Sequence, residues 1–360
     1  MTCPSLHILG SPGLGGAERF FIRLVNGLAE RQEGIGVAVR PKSPVTRFLH
    51  PGIAVHPVPM RNGWDVLSVF KIRALIRRIG CPVVQTYMGR ATRLTRTPRD
   101  SGAVHIARLG GYYKIRGYYT HAHAWIGNTK GICDYLIRNG LPPRRVFYIP
   151  NFVDAPPPVP EETLMTLRST WRIPQEAWVV FSLGRFVPKK GFTDLLSAFA
   201  RLPRSIKGRP VILVVAGDGP HRDHVQRQSD SLRLGPHVRF VGWQDEPAPF
   251  YALSDVFVCP SRHEPLGNVI LEAWSHGVPV VSTETLGAVE LVTPGENGIL
   301  TPVSDPVAMA RAIQNILEDE GLRRELGEAG RKMVTELYSQ ERVIGQYLDL
   351  YKKLVGSCTP

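Results

Sequence analysis

An α/β chain of two Rossmann-like halves is what this sequence predicts, on three observations. Short apolar, β-branched runs alternate with longer amphipathic stretches from end to end, the pattern of βα units and parallel sheets. At 360 residues the chain exceeds the usual span of one domain. The segment Asp154-Ala-Pro-Pro-Pro-Val-Pro160 divides it near the middle, because four prolines in five residues continue neither a helix nor a central strand.

In the first half, strands are expected at Leu6–Leu9, Gly36–Val39, Ala54–Val58, Val83–Thr86, Val104–Ala107, Ala124–Ile126 and Val146–Ile149. Helices fall between them at Ala17–Arg31, Val66–Ile79 and Lys130–Asn139. The second half repeats the scheme, with strands at Trp178–Leu183, Val211–Ala216, Val238–Val241, Val256–Cys259 and Pro279–Ser282. Its helices are expected at Phe192–Arg201, His221–Leu234, Leu266–His276, Pro306–Glu318 and Gly321–Leu337, and an amphipathic helix Glu341–Leu354 closes the chain. Asp305-Pro306 reads as an N-cap followed by proline in the first helical turn. This predicts a first domain 1–153, a linker 154–162 and a second domain 163–338, with a ligand cleft between the halves at the carboxyl ends of their strands.

Composition narrows the function classes. Apolar residues make up 43% and charged residues 21%, which excludes a disordered chain. The longest apolar runs are strand-length, and no basic leader precedes an apolar segment, so neither a membrane span nor a standard secretion signal is expected. Cys3, Cys81, Cys133, Cys259 and Cys358 are scattered without a C-x-x-C pair, which fits a reducing cytoplasm and neither a disulfide framework nor a zinc module. Charge is uneven. Residues 1–155 hold 22 basic and 7 acidic side chains, the remainder 22 and 24. That asymmetry points the first half at something anionic: an acidic acceptor, a membrane surface or nucleic acid.

Three loops at strand-to-helix junctions carry the chemistry. Gly10-Ser-Pro-Gly13-Leu-Gly15-Gly16-Ala-Glu18 lets backbone approach a ligand, with helix N–H groups turned toward an anion. By itself it also suits a nicotinamide cofactor, with Arg40-Pro-Lys42 on a 2′-phosphate, or a tight turn with no ligand. Gly184-Arg185-Phe-Val-Pro-Lys189-Lys190-Gly191 places two cations at a strand's carboxyl end, suited to a diphosphate. Pro260-Ser261-Arg-His263-Glu264-Pro-Leu-Gly267-Asn268-Val-Ile-Leu-Glu272-Ala puts one carboxylate before a helix and another within it. At 1.5 Å per residue their targets are expected roughly 12 Å apart, with a diphosphate over the helix N-terminus. Glu272, set among apolar residues, needs a hydrogen-bonding partner if buried.

On these loops the sequence resembles the retaining glycosyltransferases of family 4, which have the GT-B fold. The matching elements are Gly15-Gly16-Ala-Glu18-Arg19, Gly184-Arg185…Lys190-Gly191, Ala216-Gly217-Asp218-Gly219-Pro220, Glu264-x₇-Glu272, and Pro294-Gly295-Glu296-Asn297-Gly298 followed by a strand. They span nearly the whole chain in order, closely in the second half and loosely in the first. The resemblance implies a nucleotide-sugar donor. Arg185 and Lys190 would bind its diphosphate, Glu264 the sugar and Glu272 the ribose, while Gly267, Asn268 and Val269 would cradle phosphate. Gly15 and Gly16 would approach from the opposite wall, and the last helix, about 339–356, would pack back on the first domain. Catalysis falls to Glu264, Arg185 and Lys190.

The sequence departs from the family at one place. Many relatives carry a histidine near the sugar where this chain reads Ala107-Arg108-Leu109-Gly110-Gly111-Tyr112-Tyr113. His105, His121 and His123 do not fit the motif and read as surface or packed residues, and Arg108 and Tyr112 are assigned instead to the acceptor side. No Asp-x-Asp pair occurs, which with two organic cations argues for metal-independent chemistry and no cofactor. UDP is favoured only by family frequency. The acceptor is expected to be an envelope glycan or lipid-linked glycan such as lipopolysaccharide core, reached from the cytoplasm and, through the cations of Val66–Ile79 and of Arg90, Arg93, Arg96 and Arg99, from an anionic membrane face. The alternatives are an NADP-dependent oxidoreductase built on Gly10–Gly16 and a nucleic-acid-binding protein.

Overall fold

Every run expected as a strand forms one in the computed structural model, which describes residues 3–356. The first unit begins with β1 (Ser5–Leu9), α1 (Gly16–Ala29), β2 (Ile35–Val39), β3 (Ala54–Pro57) and α2 (Val66–Ile79). It continues with β4 (Val83–Tyr87), α3 (Met88–Leu94), β5 (Val104–Leu109), β6 (Ala124–Gly127), α4 (Lys130–Arg138) and β7 (Val146–Tyr148). The seven strands form one parallel sheet in the order β3-β2-β1-β4-β5-β6-β7. Alternation along β1 sets its two faces: Leu6 and Ile8 pack with Ile72 and Ile76 of α2, whereas His7 faces Tyr87 and the last helix.

The second unit opens with α5 (Glu161–Thr170), β8 (Trp178–Leu183), α6 (Phe192–Phe199), β9 (Ser205–Ile206), β10 (Arg209–Ala216), α7 (Arg222–Ser231) and β11 (Val238–Gly242). Then come α8 (Ala248–Leu253), β12 (Val256–Cys259), α9 (Asn268–Ser275), β13 (Val280–Thr283), α10 (Ala288–Leu291), β14 (Ile299–Thr301), α11 (Pro306–Glu318) and α12 (Glu320–Leu337). Its strands run parallel in the order β11-β10-β8-β12-β13-β14, with short β9 antiparallel on β10. One face is covered by α6 and α11, the other by α8, α9 and α12. Asp305 caps α11 as expected, its carboxylate accepting from the N–H groups of Val307 and Ala308.

The last helix, α13 (Gln340–Gly356), belongs to the first unit. Val343, Ile344, Tyr347, Leu350, Tyr351 and Leu354 recur at helical spacing and are buried. Two polar bonds fix the helix to the sheet: Arg108 Nε donates to Tyr347 Oη at 2.9 Å, and Tyr351 Oη to Gln85 Oε1 at 2.8 Å.

The division of the chain differs from expectation in detail. Val153 goes with the second unit, which runs Val153–Ser339, and Glu161 already starts a helix inside the expected linker. The helices α3, α5, α8 and α10 were not expected; each is short or, like α5, buries no residue fully. Cys3, Cys81, Cys133 and Cys259 are buried, and burial pushes the Cys81 thiol up to about 11. Cys358 lies outside the described residues.

Candidate functional site

Parallel strands deliver their following loops to one edge of the sheet, and in the second unit those loops are laced together. Gly184 N–H donates to Ala216 O at 3.0 Å, Phe186 N–H to Asp218 O at 2.9 Å, and Gly217 N–H to Gly242 O at 2.7 Å. Gly217 (φ +133°) and Gly191 (φ +66°) are required there, because a Cβ at either would fall 1.9 Å from a carbonyl oxygen, of Gly184 and Pro260 respectively. The loop after β12 is clipped to the loop after β8 in the same way. Arg262 and His263 N–H groups both donate to Lys189 O, and the Arg262 guanidinium forks onto Asp194 of α6 with both bonds at 2.7 Å.

This lacing holds Lys190 against Glu264. The two form a direct ion pair between loops 74 residues apart in sequence, each side chain mostly enclosed. Burial alone pulls the Lys190 ammonium down, but Glu264, with Cys259 and Glu272 contributing, reverses this and leaves it raised. Lys190 is therefore a cation at neutral pH, and both carboxylates of the Glu264-x₇-Glu272 signature act on it.

The helix carrying the second carboxylate starts later than expected. Gly267 (φ +90°) is the N-cap, a residue with no side chain to offer, and Asn268 is the first helical residue. Glu272 is thus only the fifth residue of α9, little more than one turn in, so the helix does not impose the expected separation of the two carboxylates. The partner required for a half-buried Glu272 comes from a residue the sequence did not single out: Tyr251 Oη donates to Glu272 Oε2 at 3.2 Å. Tyr251 is itself buried, edge-on to Phe181 and stacked on His276. His276 Nδ1 bonds the Glu272 carbonyl at 2.9 Å, and burial holds its imidazole below the usual range.

The structure thus gathers Lys190, Glu264 and Glu272 beside Gly267, Asn268 and Val269. Arg185 stands at the same edge and is exposed. Gly15 and Gly16 lie in the first unit at the start of α1. There Gly15, the residue before the helix, donates its N–H to Glu18 Oε2 of the first turn at 2.9 Å. Glu18 is buried at this bond.

In the stretch from Ala107 to Tyr113 the first unit buries Arg108. Its guanidinium lies over the Phe20 ring at 3.9 Å and bonds Tyr347 and Asn151. Tyr112 packs edge-on against Tyr135. His105 is buried and bonds Thr86, His121 is half-buried against the carbonyls of Thr92 and Thr95, and His123 is exposed, its Nδ1 accepting from the His105 N–H. The cation cluster is less free than its sequence suggests. Arg90 donates to the carbonyls of Gly10 and Met60, Arg96 to those of Arg93 and Thr95, and Arg77 pairs with Asp100.

Comparison with known proteins identifies the family. Residues 166–333 match the family model for glycosyl transferases group 1, and residues 14–155 the model for glycosyltransferase family 4. The lipopolysaccharide core biosynthesis glycosyltransferase LpsE of Rhizobium meliloti (strain 1021) is 38% identical over 338 residues, 93% of this chain and 95% of the relative. LpsD of the same organism is 31% identical over 344 residues, 95% and 96% of the two chains. Among solved structures, Anabaena HepE in complex with UDP and glucose superposes with a TM-score of 0.81 at 20% identity, covering 97% of this chain and 99% of that one. WaaG, a glycosyltransferase involved in lipopolysaccharide biosynthesis, gives 0.72 at 16% identity, covering 96% and 99%. The expected GT-B fold class is the one these neighbours share.

Proposed function

We propose that this chain, which belongs to glycosyltransferase family 4, moves a sugar from a nucleoside diphosphate, with UDP favoured, to an envelope or lipid-linked glycan such as lipopolysaccharide core. The observation that carries the reading is the Lys190–Glu264 pair, held by interlocked loops beside the start of α9. The names of LpsE and LpsD support the acceptor class. Neither an oxidoreductase nor a nucleic-acid-binding protein accounts for the second unit's motifs.

In this reading Lys190 and Arg185 neutralise the charge that grows on the departing diphosphate, and the first N–H groups of α9 add their dipole. Fixed charges of this kind act most strongly in the transition state, since they need no reorganisation as the bond breaks. The Glu264 carboxylate, which holds Lys190 in place, faces the sugar, and Glu272 takes the ribose hydroxyls. Attack on the face from which the diphosphate leaves would retain the anomeric configuration. Two organic cations make a metal unnecessary. The first unit's excess charge serves an anionic acceptor or the inner membrane face, placing the enzyme peripherally on the cytoplasmic side.

Titrating UDP, GDP, NADP and a DNA duplex against the same preparation tests the donor. Binding confined to a nucleoside diphosphate is expected, and preference for NADP or DNA would overturn the reading. Lys190→Ala should lower kcat by about 10²–10³ while nucleotide affinity falls less, and wild-type activity should survive EDTA. Wild-type turnover at saturating donor would remove Lys190 from the chemistry.

A further inference from the structure

The strongest feature outside the candidate site is at the start of α2. Helices of soluble domains turn their apolar stripe inward, and α2 does so with Ile72, Leu75 and Ile76. A second set of large apolar side chains faces out. Trp64 is 76% exposed, Val66 62%, Leu67 61% and Phe70 64%. Leu67 and Phe70 are three residues apart, so they share one face of the first turns, and Trp64 precedes them in the entering loop. Singly exposed apolar residues are ordinary, but four large ones within seven positions form a patch that water alone does not favour.

The patch is presented rigidly. Asp65 caps the helix, accepting from Ser68 N–H and Ser68 Oγ, and also takes the Arg61 backbone N–H and guanidinium. Trp64 is held from one side by the Arg93 guanidinium, 3.4 Å from its ring centroid, and Arg93 in turn lies over Tyr118. The surroundings are cationic. Between Glu33 and Asp100 the sequence has twelve basic residues and a single acid, Asp65, and that acid is buried in the cap. Beyond the patch the exposed side of α2 turns cationic, with Lys71, Arg77 and Arg78 exposed in the following turns.

Apolar groups including an exposed tryptophan on a helix's first turns, with cations along the rest of its outer side, suit the boundary between lipid headgroups and acyl chains. The geometry points to Trp64, Leu67 and Phe70 as a wedge that enters an anionic bilayer surface, with Arg93 and Lys71 at headgroup level. This deepens the membrane placement proposed above and rests on it, but changes its physics. Several of the cations expected to bind lipid are occupied internally, so apolar insertion rather than charge alone should hold the protein. A purely electrostatic contact vanishes as the Debye length shrinks, whereas inserted apolar area does not.

Vesicles of phosphatidylcholine with about one-third phosphatidylglycerol separate the two in co-sedimentation at low salt and at about 0.5 M salt. The full-length wild type is expected to keep a salt-resistant bound fraction, and its tryptophan emission to shift to the blue on binding, a shift lost in Trp64→Phe. The triple variant Trp64→Ser, Leu67→Ser, Phe70→Ser should lower the partition coefficient on the order of a hundredfold with nucleotide binding unchanged. Its substitutions are on the surface, and an unchanged circular dichroism spectrum and melting temperature certify the fold of the first unit. Equal binding of variant and wild type, fading together with salt, would sink the wedge and leave the electrostatic reading standing. No binding of the wild type to any vesicle would sink both. A change of sedimentation coefficient between wild type and variant without vesicles would reassign the patch to a contact between copies of this chain.

Discussion

Gly191 and Gly217 of the second unit and Gly13 and Gly15 of the first live in opposite surroundings. In the second unit a Cβ at Gly191 or Gly217 would fall 1.9 Å from a carbonyl of the neighbouring loop, and both residues have positive φ. In the first unit Gly13 has no heavy atom within 4 Å of its Cβ position, and Gly15 meets only Glu18 of its own helix. Charge follows the same division. The second unit's loops are joined by Lys190–Glu264 and Arg262–Asp194, while the buried cation at the first unit's edge, Arg108, is held by a phenol, an amide and a ring face. The loops after β8 and β10 thus differ from the loop after β1 in how firmly they are set. A site that stabilises charge on a leaving group gains from preset loops, and one that accepts a large glycan gains from open ones.

The sharpest way to break this comparison is to give each edge a single methyl group. Gly191→Ala forces a left-handed backbone on a side chain and drives it into Pro260 O, so a loss of about 4 kcal/mol or more is expected. Gly13→Ala should stay within about 0.5 kcal/mol. Thermal unfolding of both variants reads the difference. Similar losses would mean that the two edges are equally preset.

Acid should separate the units less strongly. In the first unit His7, His105, His121, His123 and His56 are all held below the usual histidine range, chiefly by burial, His7 down to about 3 and His121 to about 4. Above pH 6.5 the His7 imidazole is neutral in both folded and unfolded chains. As pH falls from 6.5 toward 3, the unfolded chain takes up a proton that folded His7 refuses. Stability therefore drops through that window, by about 2 kcal/mol at pH 5 from His7 alone. Hydrogen exchange followed by mass spectrometry between pH 7 and 5 should show protection falling in peptides of β1, β4 and β5 before those of β8, β10 and β12, after correction for the intrinsic rate. Uniform loss across both sheets would contradict it.

How far these features could be read beforehand depends on the range of the interaction. Each β-branched run closed by glycine or a cation announced both a strand and its loop, which is why Lys190, Glu264 and Glu272 were found from sequence and lie together. The Arg262–Asp194 fork joins residues 68 apart, and no local pattern encodes it. Tyr251 escaped notice because α8 has only six residues, opens beside a proline, and shows no helical period long enough to recognise. The bounds of α2 were legible to the residue. Its exposed first turns were not, because periodicity tells which residues share a face but not what covers that face.

Tyr251 supplies the smallest effect that still sharpens the comparison. Its hydroxyl donates to Glu272 and, at 3.5 Å, to the Val269 carbonyl, while its ring is fixed among Phe181, Phe257 and His276, so Tyr251→Phe removes the hydroxyl's bonds to α9 with little change in packing. If Glu272 receives ribose hydroxyls, the phenol sets the carboxylate's orientation before ligand arrives, and its loss should weaken nucleoside diphosphate binding by about 0.5–1.5 kcal/mol. Glu272→Ala removes the receiving group itself and should weaken binding by roughly 1.5–3 kcal/mol. The double variant then decides the mechanism. If Tyr251 acts only through Glu272, the double variant binds no more weakly than Glu272→Ala, since the phenol has nothing left to orient. Calorimetric titration with UDP measures all three. Additive losses would show that Tyr251 meets the nucleotide directly or holds the fold of α9, and the second unit's edge would then be preset by packing rather than by its polar bonds.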